Sequence, residues 1–114
     1  AWMIQTHGTE EQRRRYLPRM ATGEARSAYS MTEPHAGSDV QAIRTLAVRD
    51  GDEYVITGQK TWATNGLRSS MVMLLAKTDP DADPRHRGMT AFIVEKEPGR
   101  AEQPGLTIPP PLRR

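Results

Sequence analysis

Thr45-Leu46-Ala47-Val48-Arg49-Asp50-Gly51-Asp52-Glu53-Tyr54-Val55-Ile56-Thr57 is the stretch on which the fold turns. Two runs with the twofold period of a strand flank Asp50-Gly51-Asp52, and Asp-Gly between such runs predicts a tight β-hairpin. Downstream, Gly58-Gln59 reads as a second tight turn leading into a strand Lys60-Thr61-Trp62-Ala63-Thr64 that Asn65-Gly66 ends. Met71-Val72-Met73-Leu74-Leu75-Ala76 is continuously apolar, which predicts a strand buried on both faces. Met89-Thr90-Ala91-Phe92-Ile93-Val94-Glu95 is the next strand, followed by a Pro98-Gly99 turn. About six or seven short strands joined by turns predict a mainly β fold, an antiparallel sandwich or small barrel.

Upstream the period is helical. Ala1-Trp2-Met3-Ile4-Gln5 reads as the second half of a helix that ends near Gly8. Thr9, Glu10, Glu11 and Gln12 then form a capping box, and the helix they open carries Tyr16, Leu17 and Met20 on one side. Pro18 is expected to kink or end it. Arg13, Arg14 and Arg15 read as a solvated face. Ala21-Thr22-Gly23-Glu24 is a linker signal, so a boundary is placed there, with residues 1–24 a helical segment and 25–114 a β domain. The uncapped start and the terminal Pro109-Pro110-Pro111, the one low-complexity patch, read as a piece of a longer protein.

Composition narrows the chemistry. A chain of 114 residues suits one modest core, and a formal charge of +2 is too small to point to nucleic acid. No apolar run is long enough to span a membrane and no secretory signal is present, so cytoplasm is the default location, or the mitochondrial matrix in a eukaryote. The absence of cysteine excludes disulfides and thiolate nucleophiles. His7, His35 and His86 lack ligand spacing. Asp79, Asp81 and Asp83 alternate as in a calcium loop, but Pro80 and Pro84 interrupt them and the required glycine and glutamate are missing. Arg85, His86 and Arg87 read as surface charge, with contact to a phosphate-bearing ligand as the alternative.

The stretch Tyr29-Ser30-Met31-Thr32-Glu33-Pro34-His35-Ala36-Gly37-Ser38-Asp39 begins as a strand and breaks into a loop rich in hydroxyls and small residues. Gly37 lets a ligand approach the backbone, while Thr32 and Ser38 offer hydroxyls beside amides that can form an anion-holding concavity. On a strand, Trp62 and Thr64 would share one face. That pair reads either as a core tryptophan with a satisfied threonine or as an aromatic and a hydroxyl presented to a planar heteroaromatic ligand.

Thr32-Glu33-Pro34-x-Ala36-Gly37-Ser38-Asp39, then Asp50-Gly51-Asp52-x-Tyr54, then Gly58-x-Lys60-x-Trp62-x-Thr64-Asn65-Gly66 and Phe92-Ile93-Val94-Glu95, together resemble the acyl-CoA dehydrogenase family. Order and spacing both match, and Gly8 to Leu17 resembles the last helices of that family's N-terminal domain. The resemblance implies a small antiparallel β-barrel, the family's middle domain, preceded by the end of a helical one. It implies non-covalent FAD, oxidation of an acyl-CoA thioester to the 2,3-enoyl-CoA, electron transfer to an electron-transfer flavoprotein, and a homo-oligomer. By the same match Tyr29, Met31 and Thr32 line the flavin, and Gly37 and Ser38 sit by its pyrophosphate, with Ser38 also touching the thioester ligand. Trp62 covers the isoalloxazine, and the Thr64 hydroxyl lies near N5, where it can serve both redox states.

His35 and Ala63 depart from the family's usual residues, a small one and a larger aliphatic. The family's catalytic base is a glutamate of a C-terminal helical domain with no counterpart here, so no residue takes that role. Glu33 reads as an acceptor for nearby amides, and the chain alone is expected to be inactive. Alternatives are an acyl-CoA oxidase or flavin monooxygenase on the same fold, or a non-catalytic β-barrel binding module.

Overall fold

The computed structural model describes residues 1–108, so the proline run and the end of the expected domain lie outside the described residues. Helix α1 spans Trp2–His7 and α2 spans Glu10–Ala21. The capping box is formed at both ends: Gln12 N–H donates to Thr9 Oγ1 at 3.2 Å, and Thr9 N–H to Gln12 Oε1 at 2.9 Å. Pro18 does not end α2, the stronger of the two outcomes expected from the sequence. It removes one helical hydrogen bond, but Tyr16, Leu17 and Met20 pack with Ile4 and Met71, and that burial carries the helix through to Ala21.

Seven strands follow among the described residues: β1 (Ser27–Ser30), β2 (Leu46–Asp50), β3 (Glu53–Thr57), β4 (Met71–Lys77), β5 (Met89–Glu95), β6 (Glu102–Gln103) and β7 (Leu106–Thr107). The Asp-Gly hairpin is formed, with Val48 opposite Val55 and Asp50 opposite Glu53. β4 is the central strand. β5 pairs antiparallel along its whole length, from Met71↔Glu95 to Lys77↔Met89. Its other edge takes β1 and then, at Leu46↔Lys77, β2.

Both of those pairings are parallel, so the sheet is mixed and not the antiparallel one expected. The expectation rested on hairpins. β1 and β4 are not hairpin neighbours: the chain leaves β1 through the 31–45 loop and returns by way of β2 and β3, which leaves direction free. No closed barrel or two-sheet sandwich forms among the described residues; β6 and β7 make a separate two-stranded ribbon.

A second correction concerns residues 60–64. They pair with no strand and run as irregular chain into a turn at 64–68. The twofold period was there, but Trp62 and Asn65 have φ of +57° and +63°, and a left-handed residue breaks strand geometry.

A packed apolar group joins the two regions, with Ile4, Tyr16, Ala25 and Met71 buried and Met73 and Ile93 against them. Glu95 pins the junction from the rim. Tyr16 donates its hydroxyl to Glu95 Oε1 at 2.8 Å, and Arg15 lies 2.7 Å from the same carboxylate. Burial and that carboxylate together push the Tyr16 pKa up. One of the three arginines is thus a clamp, while Arg14 pairs along the helix with Glu10 as a solvated residue does.

Candidate functional site

The loop after β1 is folded around one carboxylate. Glu33 and Ala36 exchange backbone hydrogen bonds of 2.9 and 3.1 Å, a tight reversal that drives the Glu33 side chain inward until the residue is 4 % exposed. A short 3-10 turn over Val40–Ala42 then brings Arg44 and Thr45 back beneath it. The carboxylate accepts the Arg44 amide at 2.6 Å, the Thr45 amide at 3.0 Å and the Thr45 hydroxyl. Lys60 Nζ adds a fourth contact at 2.9 Å. Burial pushes the pKa of this acid up, yet the bonds from Thr45, Lys60 and the two amides outweigh it and hold the pKa at about 2. Glu33 is therefore ionised and saturated, unsuited to taking a proton from a substrate.

Lys60 joins the loop to the chain that follows β3. Its ammonium also donates to the Met31 carbonyl at 3.0 Å, and Thr61 N–H donates to the Thr32 carbonyl at 2.8 Å. The two stretches singled out in the sequence are thus one unit. Gly58 permits the approach: a Cβ there would lie 2.7 Å from Thr45 Cα, inside the neighbour that holds Glu33. Nothing beyond the Gly-x-Lys-x-Trp spacing marked Lys60 in the sequence, and the Thr45 hydroxyl carried no signal at all.

The expected site residues sit on the surface of this unit. Tyr29 lies on β1 paired with Met73, and is 45 % exposed. Met31 and Thr32 are half-buried and held through their carbonyls. Gly37 and Ser38 are exposed, and an added Cβ at Gly37 would meet no atom within 4 Å. Trp62 is 80 % exposed in a left-handed conformation, so it is not a core tryptophan. Thr64 is exposed two residues on, but without a strand the shared face argued from spacing does not exist.

A bulky residue at positive φ costs roughly 1–3 kcal/mol, and such strain persists only where its surroundings hold it. Here the holding is visible on both sides of Trp62. Lys60 and Thr61 fix the chain before it; after it, Gly66 N–H donates to Ala63 O at 2.9 Å and Ser69 N–H to Asn65 O at 2.8 Å. The Thr61 hydroxyl is buried and without a protein partner among the described residues. An open indole, exposed hydroxyls at Ser38 and Thr64, and clear space at Gly37 are a donor set that fits a flat, polar-edged cofactor.

Other sequence features resolve differently. No three His, Asp or Glu side chains among the described residues converge on a metal position. Asp79 caps a turn by accepting the Asp81 amide at 3.0 Å. Arg85, His86 and Arg87 are exposed on a short 3-10 turn. His35 places Nε2 3.5 Å from Glu33 Oε2, on the outer side of the saturated carboxylate. No helix of the described residues is long and apolar enough to cross a membrane.

Comparison with known proteins matches residues 28–114 to the acyl-CoA dehydrogenase middle domain and residues 1–24 to the acyl-CoA dehydrogenase N-terminal domain. Acyl-CoA dehydrogenase FadE29 of Mycobacterium tuberculosis is 42 % identical over 102 residues, covering 89 % of this chain and 26 % of the relative. The crystal structure of an acyl-CoA dehydrogenase from Geobacillus kaustophilus superposes with a TM-score of 0.79 at 49 % identity, over 82 % of this chain and 25 % of that one. A glutaryl-CoA dehydrogenase from Mycobacterium smegmatis, in complex with FADH2, superposes with a TM-score of 0.74 at 36 % identity, over 82 % and 22 %. The chain thus spans about a quarter of the length of each of these relatives. Since the middle-domain match alone takes in most of the sequence, the chain belongs to the acyl-CoA dehydrogenase family.

Proposed function

We propose that this chain holds the flavin of an FAD-dependent acyl-CoA dehydrogenase, with residues 1–24 ending its N-terminal helical domain and 25–114 forming its middle domain. Trp62 carries the reading: a strained, four-fifths exposed indole, braced on both sides, suits stacking against a flat ring. Tyr29, Met31 and Thr32 line that ring from the β1 side, and Thr64 offers its hydroxyl near N5. Gly37 and Ser38 meet the pyrophosphate, where the open backbone at Gly37 admits close approach. Ser38 also reaches the acyl-CoA thioester.

Bound FAD would supply the acceptor for the β-hydride, which carries both electrons away from the acyl chain. The chain's own residues position and shield. Lys60 and Glu33 keep the loop in register with the arm, residues 60–70 between β3 and β4, and Trp62 excludes water from the ring face. The α-proton is taken by a glutamate of the C-terminal domain, so the isolated chain is inactive. The electrons leave through an electron-transfer flavoprotein, and the full-length protein is a homo-oligomer. The free edges of β3 and β5 border one groove, where Tyr54 and Phe92 meet edge-to-face at 5.1 Å. Further strands of the full-length protein close the sheet into a barrel there.

The test is a visible spectrum of the full-length protein before and after anaerobic addition of an acyl-CoA series. An oxidised-flavin band that bleaches with one chain length supports the reading and names the substrate class. A protein that stays colourless after added FAD overturns it.

A further inference from the structure

Lys96 is a lysine where a solvated one would be expected, just past the end of β5, yet the residue is only 7 % exposed. No carboxylate pairs with it among the described residues: its neighbours Glu95 and Glu97 are engaged by Arg15 and Arg100. The ammonium donates instead to three backbone carbonyls, Leu67 at 3.0 Å, Ser69 at 2.9 Å and Glu97 at 3.0 Å. All three of its protons are therefore used. An uncompensated buried charge is costly, and burial pushes the Lys96 pKa down, so the cage must return something.

What it returns is the geometry of the arm. Leu67 and Ser69 lie at the end of the 64–68 turn, which holds Asn65, the next left-handed residue after Trp62. The same point is stitched by Gly99 N–H to Leu67 O at 2.8 Å, Lys96 N–H to Ser70 O at 3.0 Å and Ser69 Oγ–H to Gly66 O at 3.2 Å. Lys60 and Thr61 anchor the arm before Trp62; after it this cage and its stitches hold the turn, and Ser70 N–H, donating to Arg26 O at 2.9 Å, ties the chain beyond it to the start of β1.

We infer that Lys96 is a positioning residue, whose ammonium among three carbonyls fixes the far end of the arm and so sets where Trp62 and Thr64 stand. The functional sense of that placement rests on the flavin role proposed above. The charge matters because a single ammonium directs three carbonyls inward that would otherwise repel one another.

The experiment uses the full-length protein carrying Lys96→Ala, read by hydrogen exchange and by visible circular dichroism of the bound flavin. We expect the amides of Gly66, Arg68 and Ser69 to exchange at least about tenfold faster, the loss of a charge-assisted hydrogen bond, with β4 and β5 amides unchanged. Added ethylammonium restores that protection by refilling the cage. Unaltered exchange in the arm of a folded variant overturns the inference. Should Lys96→Ala not fold, Lys96→Arg keeps the charge on a head too broad for the cage, and wild-type exchange in its arm overturns the inference equally. A loosened arm with an altered flavin signal supports both this inference and the flavin role. A loosened arm in a protein that never held flavin supports the cage and removes the flavin role alone.

Discussion

Glu33 and Trp62 lie on segments joined by hydrogen bonds, yet they are opposites. Glu33 is charged and almost wholly buried, with its acceptor capacity filled by two amides, a hydroxyl and an ammonium. Trp62 is large and apolar, strained in its backbone and 80 % exposed. By transfer free energy alone the two residues should exchange places. The inversion separates two kinds of work: Glu33 holds the protein's own chain, while Trp62, in the flavin role proposed above, is offered to something the chain does not contain.

The comparison can be broken at the buried end first. Glu33→Ala leaves Lys60 buried without its carboxylate and orphans the Arg44 and Thr45 amides; we expect a loss of about 3–5 kcal/mol in denaturant unfolding of the full-length protein. Acid attacks the same point. Because the folded pKa of Glu33, about 2, lies below the ordinary 4.5, its stabilisation is fully present above pH 4.5. It is lost as pH falls from 4.5 toward 2. The part due to Glu33 amounts to about 3 kcal/mol, seen as the excess acid sensitivity of wild type over Glu33→Gln.

Gly58→Ala tests whether the close passage at Thr45 is needed. The new methyl overlaps Thr45, and overpacking of this kind costs about 1–3 kcal/mol in the same unfolding measurement. At the exposed end the stability effect nearly vanishes. Trp62→Gly relieves the left-handed strain while loosening the unfolded chain, so stability changes by about 1 kcal/mol or less. Flavin retention on gel filtration falls all the same. A Trp62→Gly protein that keeps its full flavin content would reduce Trp62 to an ordinary surface residue.

Much of this was legible in the residues. The capping box of α2, the Asp-Gly hairpin and the limits of β5 follow from contacts within a few residues or from turn chemistry, and Glu33 was read as an amide acceptor, although its amides come from Arg44 and Thr45 across the loop. Pro18, the 60–64 segment and the direction of β1 did not follow. In each a distant partner overrode the local preference: the Ile4–Met71 packing for Pro18, Lys60 with Thr61 for the arm, and β4 for β1.

The sequence by itself determined most of the elements and the family, because periods, caps and motif spacings are written along the chain. Only the tertiary structure decided that β1 runs parallel to β4, that Lys60 and Lys96 are buried anchors, and that Trp62 faces out. Those outcomes depend on which groups meet across long stretches of chain. A lysine becomes an anchor only when carbonyls or a carboxylate close around it, and no local pattern records that.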